Sequence, residues 1–378
     1  MFTALDTIYD ITRKECIEAL IPEGRYAYHL RQKDSAESKI CFTTPIFHGS
    51  SPVVKCFDTY PDCFSFQGSK GRIDVRREGL VLHDSEYEIR LLWNNEQHFR
   101  LSQDRCVLTS EEMSITPTFS GVRITQQYCG PLYFTCLIKS EKTGYIRMNS
   151  KSFAYMRDTF APVMTLSTMY TDGNLKNPGV NLAMKQENES KVYLRMTASD
   201  ENASHACWEI NLYEPKLIMD TTVESARPNE NNVYGNVAFL GHTGDHGVQY
   251  LYSRFDLSKL ENDPRKKMKR FLLYIPYYKA GEQGFRMSAP FRRFCSFGSN
   301  WENKMPFTEF GAKYEKCGSY FVFDLSKYLL NEHGRFKENT GIVLYSAAPD
   351  GVSILSTADN YDRPQIVEIQ YEKEKENE

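Results

Sequence analysis

The run Gly71-Arg-Ile-Asp-Val-Arg-Arg77 alternates apolar and polar residues, and Gly79-Leu-Val-Leu-His83 follows it after a short turn. A third run, Tyr87-Glu-Ile-Arg-Leu-Leu-Trp93, alternates again. Alternation with a period of two is the pattern of a strand that buries one face and exposes the other. Because only short turns separate the three runs, they predict an antiparallel β-meander.

Strand patterns of this kind recur through the chain, whereas helical periodicity is scarce. Only residues 11–20 and 325–330 would support a short helix, the second with Ser326 placed to cap it. Strands without long intervening helices favour sandwiches or jelly rolls over a doubly wound nucleotide-binding fold. We therefore predict an all-β chain with very little helix, in which an antiparallel β-sandwich-like N-terminal region precedes a jelly-roll β-sandwich.

The composition is that of a globular chain and excludes several classes of protein. The length of 378 residues corresponds to about two or three domains. Because 46 Lys and Arg stand against 49 Asp and Glu, the formal net charge is −3 and gives no electrostatic signature for nucleic acid or an anionic membrane. The 24 Tyr and 23 Phe favour half-buried pleated surfaces. We expect no membrane-spanning segment, because no apolar run approaches about 18 residues, and no signal peptide.

The clearest predicted domain seam is Tyr213-Glu-Pro-Lys216, where one strand pattern ends at a proline and another begins. We predict an N-terminal β-rich domain over residues 1–213 and a second domain over residues 214–371. Residues 372–378 alternate Lys and Glu, which predicts a charged, flexible tail. A further boundary near residue 162 would divide the first domain into two smaller sheets.

One short pattern, Phe-Asp-Leu-Ser-Lys, occurs at residues 255–259 and again at 323–327. Alternation places Phe and Leu on one side of the chain in both copies, and the following Ser can start a turn. We interpret the two copies as similar strand exits and not as a tandem repeat.

The ten cysteines are spread thinly through the chain, unlike those of a disulfide-stapled scaffold. No pair has the two-residue gap of a zinc or redox motif, so thiolate metal sites are not expected. We interpret most of them as reduced core residues, with disulfides as the alternative.

The order of landmarks after residue 216 is distinctive. The landmarks are Ile218-Met-Asp-Thr-Thr-Val223, Pro228-Asn-Glu-Asn-Asn232, Val237-Ala-Phe-Leu-Gly241, Tyr250-Leu-Tyr-Ser-Arg-Phe-Asp-Leu-Ser258, Asn300-Trp-Glu-Asn303, Gly318-Ser-Tyr-Phe-Val-Phe-Asp-Leu-Ser326, Asn339-Thr-Gly-Ile-Val-Leu-Tyr345, Ser353-Ile-Leu-Ser-Thr-Ala-Asp359 and Arg363-Pro-Gln-Ile-Val-Glu-Ile-Gln-Tyr371. Over residues 216–371 this order resembles the DNRLRE domain family, a bacterial β-sandwich module akin to carbohydrate-binding jelly rolls. The resemblance implies a non-catalytic module of a surface, polysaccharide-processing or polymorphic-toxin protein, and hence an extracellular surface or particle. No family is recognised in the first half.

A structural calcium is the one cofactor that this resemblance implies, and it would need several oxygen ligands. The first and last strands of a domain tend to be neighbours, which would bring four carboxylates together. These candidate ligands are Asp220, Glu224, Asp359 and Asp362. We favour the alternative that these carboxylates serve turns and caps and that no cofactor is bound.

A second cluster of metal-ligand type is His242-Thr-Gly-Asp-His246, in which Asp245 lies between two imidazoles. Such Gly-containing loops are more often polar turns, and we favour that interpretation.

Glycan binding needs exposed aromatic rings that stack on sugars, with polar groups that fix the hydroxyls. Most aromatic rings must fill the core, but several lie in patterns that suggest a loop or a strand end. The candidate binding residues are Trp301, Asn300, Asn303, Tyr277, Tyr278, Arg292 and Arg293.

Signatures of catalysis are missing from the sequence. There is no Gly-x-Ser-x-Gly elbow, no phosphate-binding Gly-rich loop and no local pair of carboxylates that marks a glycosidase. The one basic run, Pro264-Arg-Lys-Lys-Met-Lys-Arg270, is too small for nucleic-acid binding and is expected to be a solvated loop.

Three hypotheses about function follow. The first is a non-catalytic binding or adhesion module that recognises a glycan or another surface polymer. The second is a structural subunit of a self-assembling extracellular or phage-like particle, whose partners are other copies of itself. The third is a polysaccharide-active enzyme whose site the sequence does not reveal.

Overall fold

A computed structural model describes most of the chain. The described residues are 4–23, 26–43, 56–60, 63–67, 71–94, 98–101, 107–117, 121–126, 131–148, 152–157, 162–171, 180–198, 206–212, 217–233, 235–260, 265–282, 284–311, 313–348, 350–360 and 363–372.

The described residues form many short strands and two short α-helices. The first elements are α1 (Ala4–Ile11), β1 (Ile17–Glu23), β2 (Ala27–Gln32) and β3 (Glu37–Phe42). The strands that follow are β4 (Cys56–Tyr60), β5 (Cys63–Gln67), β6 (Arg72–Arg76), β7 (Gly79–His83), β8 (Tyr87–Trp93), β9 (Arg100–Leu101), β10 (Leu108–Thr109), β11 (Met113–Pro117), β12 (Gly121–Gln126), β13 (Leu132–Ser140), β14 (Tyr145–Met148), β15 (Ser152–Met156), β16 (Pro162–Thr171), β17 (Val180–Asn188), β18 (Lys191–Ala198) and β19 (Ala206–Leu212). The last elements are β20 (Ile218–Glu224), β21 (Val237–Thr243), β22 (Gly247–Phe255), β23 (Met268–Lys279), β24 (Phe285–Pro290), β25 (Phe307–Glu309), β26 (Lys313–Cys317), β27 (Tyr320–Asp324), α2 (Ser326–Leu329), β28 (Ile342–Ser346), β29 (Ser353–Ser356) and β30 (Ile366–Tyr371). The prediction of an all-β chain with little helix is confirmed.

The chain divides into two compact units. An inserted unit comprises Ser51–Pro215, and a flanking unit combines Met1–Ser50 with Lys216–Glu378. The division after Pro215 falls within the predicted seam at residues 213–216, which themselves lie outside the described residues. Residues 1–50, which we predicted to belong to the N-terminal domain, instead cluster with the end of the chain.

The inserted unit contains two antiparallel sheets that share one core. Sheet I has the strand order β17-β18-β13-β8-β7-β6-β5-β4, and sheet II has the order β14-β15-β16-β19-β12-β11-β10-β9. Phe134 and Leu194 from sheet I lie in the same buried cluster as Ile124 and Trp208 from sheet II. This arrangement is sandwich-like, and β6, β7 and β8 form the predicted meander in consecutive antiparallel pairs.

The predicted boundary near residue 162 is not a boundary in the structure. Pro162 begins β16, which pairs with β15 in sheet II, so that the strands on both sides of this proline belong to one sheet. A proline is compatible with the first residue of a strand. The two sheets of this unit do exist, but the chain alternates between them and does not complete one before the other.

The flanking unit explains why residues 1–50 belong with the end of the chain. Its 14-stranded sheet joins β3 to β30, with Ser38 opposite Gln370 and Ile40 opposite Glu368. A sequence pattern identifies strands but not distant partners, and we had assumed that the domain was continuous along the chain. The core of this unit includes Phe255, whose ring meets that of Phe271 edge to face at 5.8 Å.

The two helix predictions had different outcomes. The prediction over residues 11–20 is wrong, because α1 ends at Ile11 and Ile17–Glu23 forms β1. The spacing of apolar residues there also suits a half-buried strand, and pairing with β2 decides between the two. The short helix after residue 325 is confirmed as α2, although Ser326 begins the helix and does not cap it.

The repeated pentapeptide marks two similar strand exits, as predicted. After β22, the Asp256 carboxylate accepts a hydrogen bond from the backbone N–H of Ser258 at 3.3 Å, and a 3-10 turn follows. After β27, the Asp324 carboxylate accepts from the backbone N–H of Ser326 at 3.0 Å, and α2 follows.

The described residues also bear on three other predictions, which concern the charged tail, the cysteines and a membrane-spanning segment. The tail residues 373–378 lie outside the described residues, whereas Glu372 pairs with Lys267 at 2.9 Å. Free thiols occur at the described Cys16, Cys41, Cys136, Cys207, Cys295 and Cys317. In the part of the chain that is described, no helix is both long enough and apolar enough to cross a bilayer.

Candidate functional site

Trp301 lies in the loop between β24 and β25, and its ring is enclosed by its neighbours. The ring of Tyr250 packs at 5.1 Å on the side of the core, and the ammonium group of Lys304 lies 3.9 Å from the indole centroid. Burial lowers the pKa of Lys304. The loop therefore already supplies the contacts that a stacked sugar would make.

The two asparagines beside Trp301 bind the loop itself. The Asn303 side-chain oxygen accepts from the backbone N–H of Asn300 at 2.8 Å, and the Asn300 oxygen accepts from the backbone N–H of Asn303 at 2.9 Å. The Asn303 amide also donates to the Gly298 carbonyl at 2.9 Å. Arg292 and Arg293 are exposed at the other end of this loop.

Tyr277 and Tyr278 are neighbours in sequence but have different surroundings. The ring of Tyr277 packs against Phe321 at 4.8 Å on the side of the core. Tyr278 is 44% exposed, its hydroxyl accepts from the Asn360 amide at 2.9 Å, and the Arg363 guanidinium lies 4.7 Å from its ring centroid. The two rings do not form one platform.

The predicted calcium ligands do not converge within the described residues. The Asp220 carboxylate is buried and accepts from the backbone N–H of Ala358, next to Asp359, at 2.7 Å. Glu224 lies four residues further along β20, and Asp362 is outside the described residues. The described part of the chain contains no group of three or more His, Cys, Asp or Glu placed to hold a metal. A calcium site stays a prediction.

His246 turns away from its two predicted co-ligands. His242 and Asp245 are exposed, whereas His246 is buried with its Nδ1 atom 2.8 Å from the Glu224 carboxylate. Arg227 forms an ion pair with the same carboxylate. Burial alone would raise the pKa of Glu224, but the hydrogen bond from His246 and the charge of Arg227 hold that pKa below its ordinary value. This buried cluster joins the start of β22 to the end of β20.

Sequence reasoning missed a solvent-exposed surface on sheet I. Here the open face means the outward side chains of β6, β7, β8, β13, β17 and β18, whose inward neighbours fill the core of the inserted unit. Its tyrosines are Tyr133 and Tyr193, its cations are Arg72, Arg76, Arg90, Lys139, Lys185, Lys191 and Arg195, and its carboxylates are Asp74, Glu88 and Glu187.

The two tyrosines of the open face lie on adjacent strands. Tyr133 on β13 is opposite Arg195 on β18, and Tyr193 on β18 is opposite Thr135 on β13. Their exposed fractions are 40% and 38%. The Arg195 guanidinium lies 5.9 Å from the Tyr133 ring centroid, and the Tyr193 hydroxyl donates to Glu187 at 2.6 Å. Diagonal neighbours in a sheet are about 8 Å apart, so both rings can meet one extended ligand.

The most buried carboxylate of the open face is Asp74. It accepts hydrogen bonds from Ser65 at 2.7 Å, from Arg72 at 2.6 Å and from Arg76 at 2.8 Å. Burial alone would raise the pKa of Asp74, but these bonds outweigh it and hold the pKa below its ordinary value.

The other two carboxylates of the open face are also paired. Glu88 binds Arg90 at 2.7 Å, and Glu187 binds Lys191 at 3.1 Å. The hydrogen bond that Arg90 donates lowers the pKa of Glu88, and the hydrogen bonds that Tyr193 and Lys191 donate lower the pKa of Glu187. Among the described residues, Lys139, Lys185 and Arg195 of this face have no carboxylate within 4.0 Å. The open face thus presents two exposed rings and three cations that lie more than 4.0 Å from every described carboxylate, although the charges of Lys139 and Lys185 also help to lower the pKa of Glu88 and of Glu187.

The strand patterns over residues 132–138 and 191–196 contained a signal for this surface. Alternation sends Tyr133, Tyr193 and Arg195 to the side opposite the core, but only the pairing of β13 with β18 shows that they are neighbours.

No protein-family model matches this chain, and no curated protein matches it.

Proposed function

We propose that this protein is a non-catalytic binding module that recognises a glycan or another surface polymer, and that the open face is its binding surface. The observation that carries the proposal is the pair of half-exposed rings, Tyr133 and Tyr193, on the same side of adjacent strands. Sugars stack on such rings while charged and polar groups around them hold the hydroxyls. The DNRLRE resemblance of residues 216–371 belongs to the same proposal, since it also implies a non-catalytic, surface-associated role.

A flat sheet face suits a polymer better than a small substrate. The rigid pleated strands fix the positions of Tyr133 and Tyr193 before binding, which limits the entropy lost on association. A chain-like ligand can also extend across several strands and make the same contact repeatedly. The arrangement allows stacking and hydrogen bonding. Binding of this kind needs no acid, base or nucleophile.

The experiment is a glycan array probed with the full chain, followed by affinity measurements on the glycans that bind. We expect the double variant Tyr133→Ala/Tyr193→Ala to lose at least tenfold in affinity. The matched control is Tyr145→Ala on β14, because Tyr145 is also 38% exposed and also has an arginine, Arg147, 5.8 Å from its ring. Absence of glycan binding, or binding that the double variant retains, would overturn the proposal.

A second candidate function, the self-assembling structural subunit, is favoured by one specific observation. β14 is at the end of the sheet II order and carries the exposed Tyr145 and Met148. Terminal strands offer backbone groups to another chain. Light scattering that rises with concentration, and that Tyr145→Lys suppresses, would support this function. A monomer at all concentrations would contradict it.

A further inference from the structure

The open face repeats one combination of side chains. Tyr133 is opposite Arg195, and Tyr193 is opposite Lys185 on β17. In each pair a half-exposed ring is opposite a cation that has no carboxylate within 4.0 Å among the described residues. The cation that lies over the Tyr193 ring is Lys191, 5.2 Å from the ring centroid and paired with Glu187. The second pair is displaced from the first by one strand and two residues, which corresponds to about 8 Å.

The charge balance of the open face differs from that of the whole chain. The formal net charge of the protein is −3, whereas cations outnumber carboxylates on this face. Each of its three carboxylates is already neutralised by contact with Arg or Lys. Among the described residues, Lys139, Lys185 and Arg195 form no direct ion pair with a carboxylate, so a carboxylate of a ligand can contact them.

Resting on the proposed function above, we infer that the open face binds an acidic polysaccharide. Its sugar rings stack on Tyr133 and Tyr193, and its carboxylate groups pair with Arg195, Lys185 and Lys139. A ring beside a cation, presented twice, is complementary to a polymer whose repeating unit is a sugar that carries an acid.

A nucleic acid fits the same face less well. Nucleic-acid affinity comes mainly from many phosphate contacts, and the overall negative charge of this protein opposes a densely charged polyphosphate. A polymer with one carboxylate in each repeating unit needs only a few local cations.

The test compares polygalacturonate and hyaluronate with their methyl esters, which keep the sugar backbone and remove the charge. We expect the full chain to bind at least one acid form tenfold or more tightly than its ester, with a preference that falls as NaCl increases. The variant Lys139→Gln/Lys185→Gln/Arg195→Gln should lose that preference. The matched control Lys269→Gln/Lys313→Gln/Lys327→Gln removes three exposed lysines of the flanking unit and should retain it.

The outcomes separate this inference from the proposed function. Equal binding of acid and ester, abolished by Tyr133→Ala/Tyr193→Ala, would overturn the acidic ligand but leave a glycan-binding module. An acid preference that survives in the triple variant would also overturn the inference, as would failure of every acidic polymer to bind. Tighter binding of an oligodeoxythymidylate than of any acidic polysaccharide would overturn it in favour of nucleic acid.

Discussion

The loop around Trp301 and the open face both place aromatic rings beside cations, but they differ in what the rings can still contact. In the loop, Trp301 is held between Tyr250 and Lys304, and the adjacent asparagines bond to the loop backbone. On the open face, Tyr133 and Tyr193 extend from strands whose alternation sends every second side chain to solvent. The difference shows that residue type suggests a ligand, whereas backbone geometry decides whether the side chain is free to bind one.

The largest expected effect is a loss of stability on removal of the buried carboxylate of Glu224. Glu224→Ala should lower the free energy of unfolding of the flanking unit by about 3–5 kcal/mol, because it leaves the buried His246 without its carboxylate partner and Arg227 with only Glu230, at 3.6 Å. Urea unfolding followed by far-ultraviolet circular dichroism measures this. The exposed Asp245→Ala should change the same free energy by less than about 0.5 kcal/mol. A cost below about 1 kcal/mol for Glu224→Ala would show that the cluster is not tightly coupled.

Trp301→Ala and Tyr193→Ala test the comparison directly. Removing the partly buried indole should destabilise the flanking unit by about 2–3 kcal/mol and leave glycan affinity unchanged. Removing the Tyr193 ring should cost less than about 1 kcal/mol in stability and weaken glycan binding about tenfold. Calorimetric titration measures the glycan affinity, and thermal unfolding measures the stability. If Trp301→Ala weakened glycan binding and Tyr193→Ala did not, the Trp301 loop would be the binding site.

Asp74 gives a pH test of the charges beneath the open face. The folded-state pKa of Asp74 is lowered. Its contribution to the free energy of unfolding is therefore complete above the ordinary carboxyl pKa of about 4, and it is lost as the pH falls through the folded-state pKa. Asp74→Asn should therefore cost about 1–2 kcal/mol at pH 7 and progressively less in acid. The control Glu111→Gln, at an exposed position between β10 and β11, should leave the pH dependence of unfolding unchanged. Parallel curves for wild type and Asp74→Asn from pH 7 to 2 would contradict this account.

The sequence predicted the type of fold better than the arrangement of its parts. Alternation over residues 71–93 identified the meander, and the Phe-Asp-Leu-Ser-Lys copies identified two strand exits, because both patterns are local. The pairing of β3 with β30 could not be predicted from the sequence, because strands pair through backbone hydrogen bonds that almost any residue type can form. The same limit applies to the candidate site: Tyr133 and Arg195 meet only because β13 and β18 pair.

The smallest expected effect is a difference in thiol reactivity between the two sides of β13. It tests which residues of this strand face the core. Burial raises the pKa of the Cys136 thiol to about 12, and this residue points into the core while Tyr133 points outward. We expect iodoacetamide at pH 8 to leave Cys136 unmodified in the folded protein and to label a Thr135→Cys variant at that new position. Mass spectrometry of the peptide that contains residues 135 and 136 measures the modification at each position. Labelling of Cys136 in the folded state would mean that the two sides of β13 are reversed.

Hydroxyl-radical footprinting with and without bound glycan tests the central claim most directly, because it reads ring accessibility without any substitution. The account predicts that the ligand slows modification of Tyr133 and Tyr193 several-fold, while the rates at Trp301 and Tyr145 stay the same. Protection of Trp301 with unchanged rates at Tyr133 and Tyr193 would contradict it.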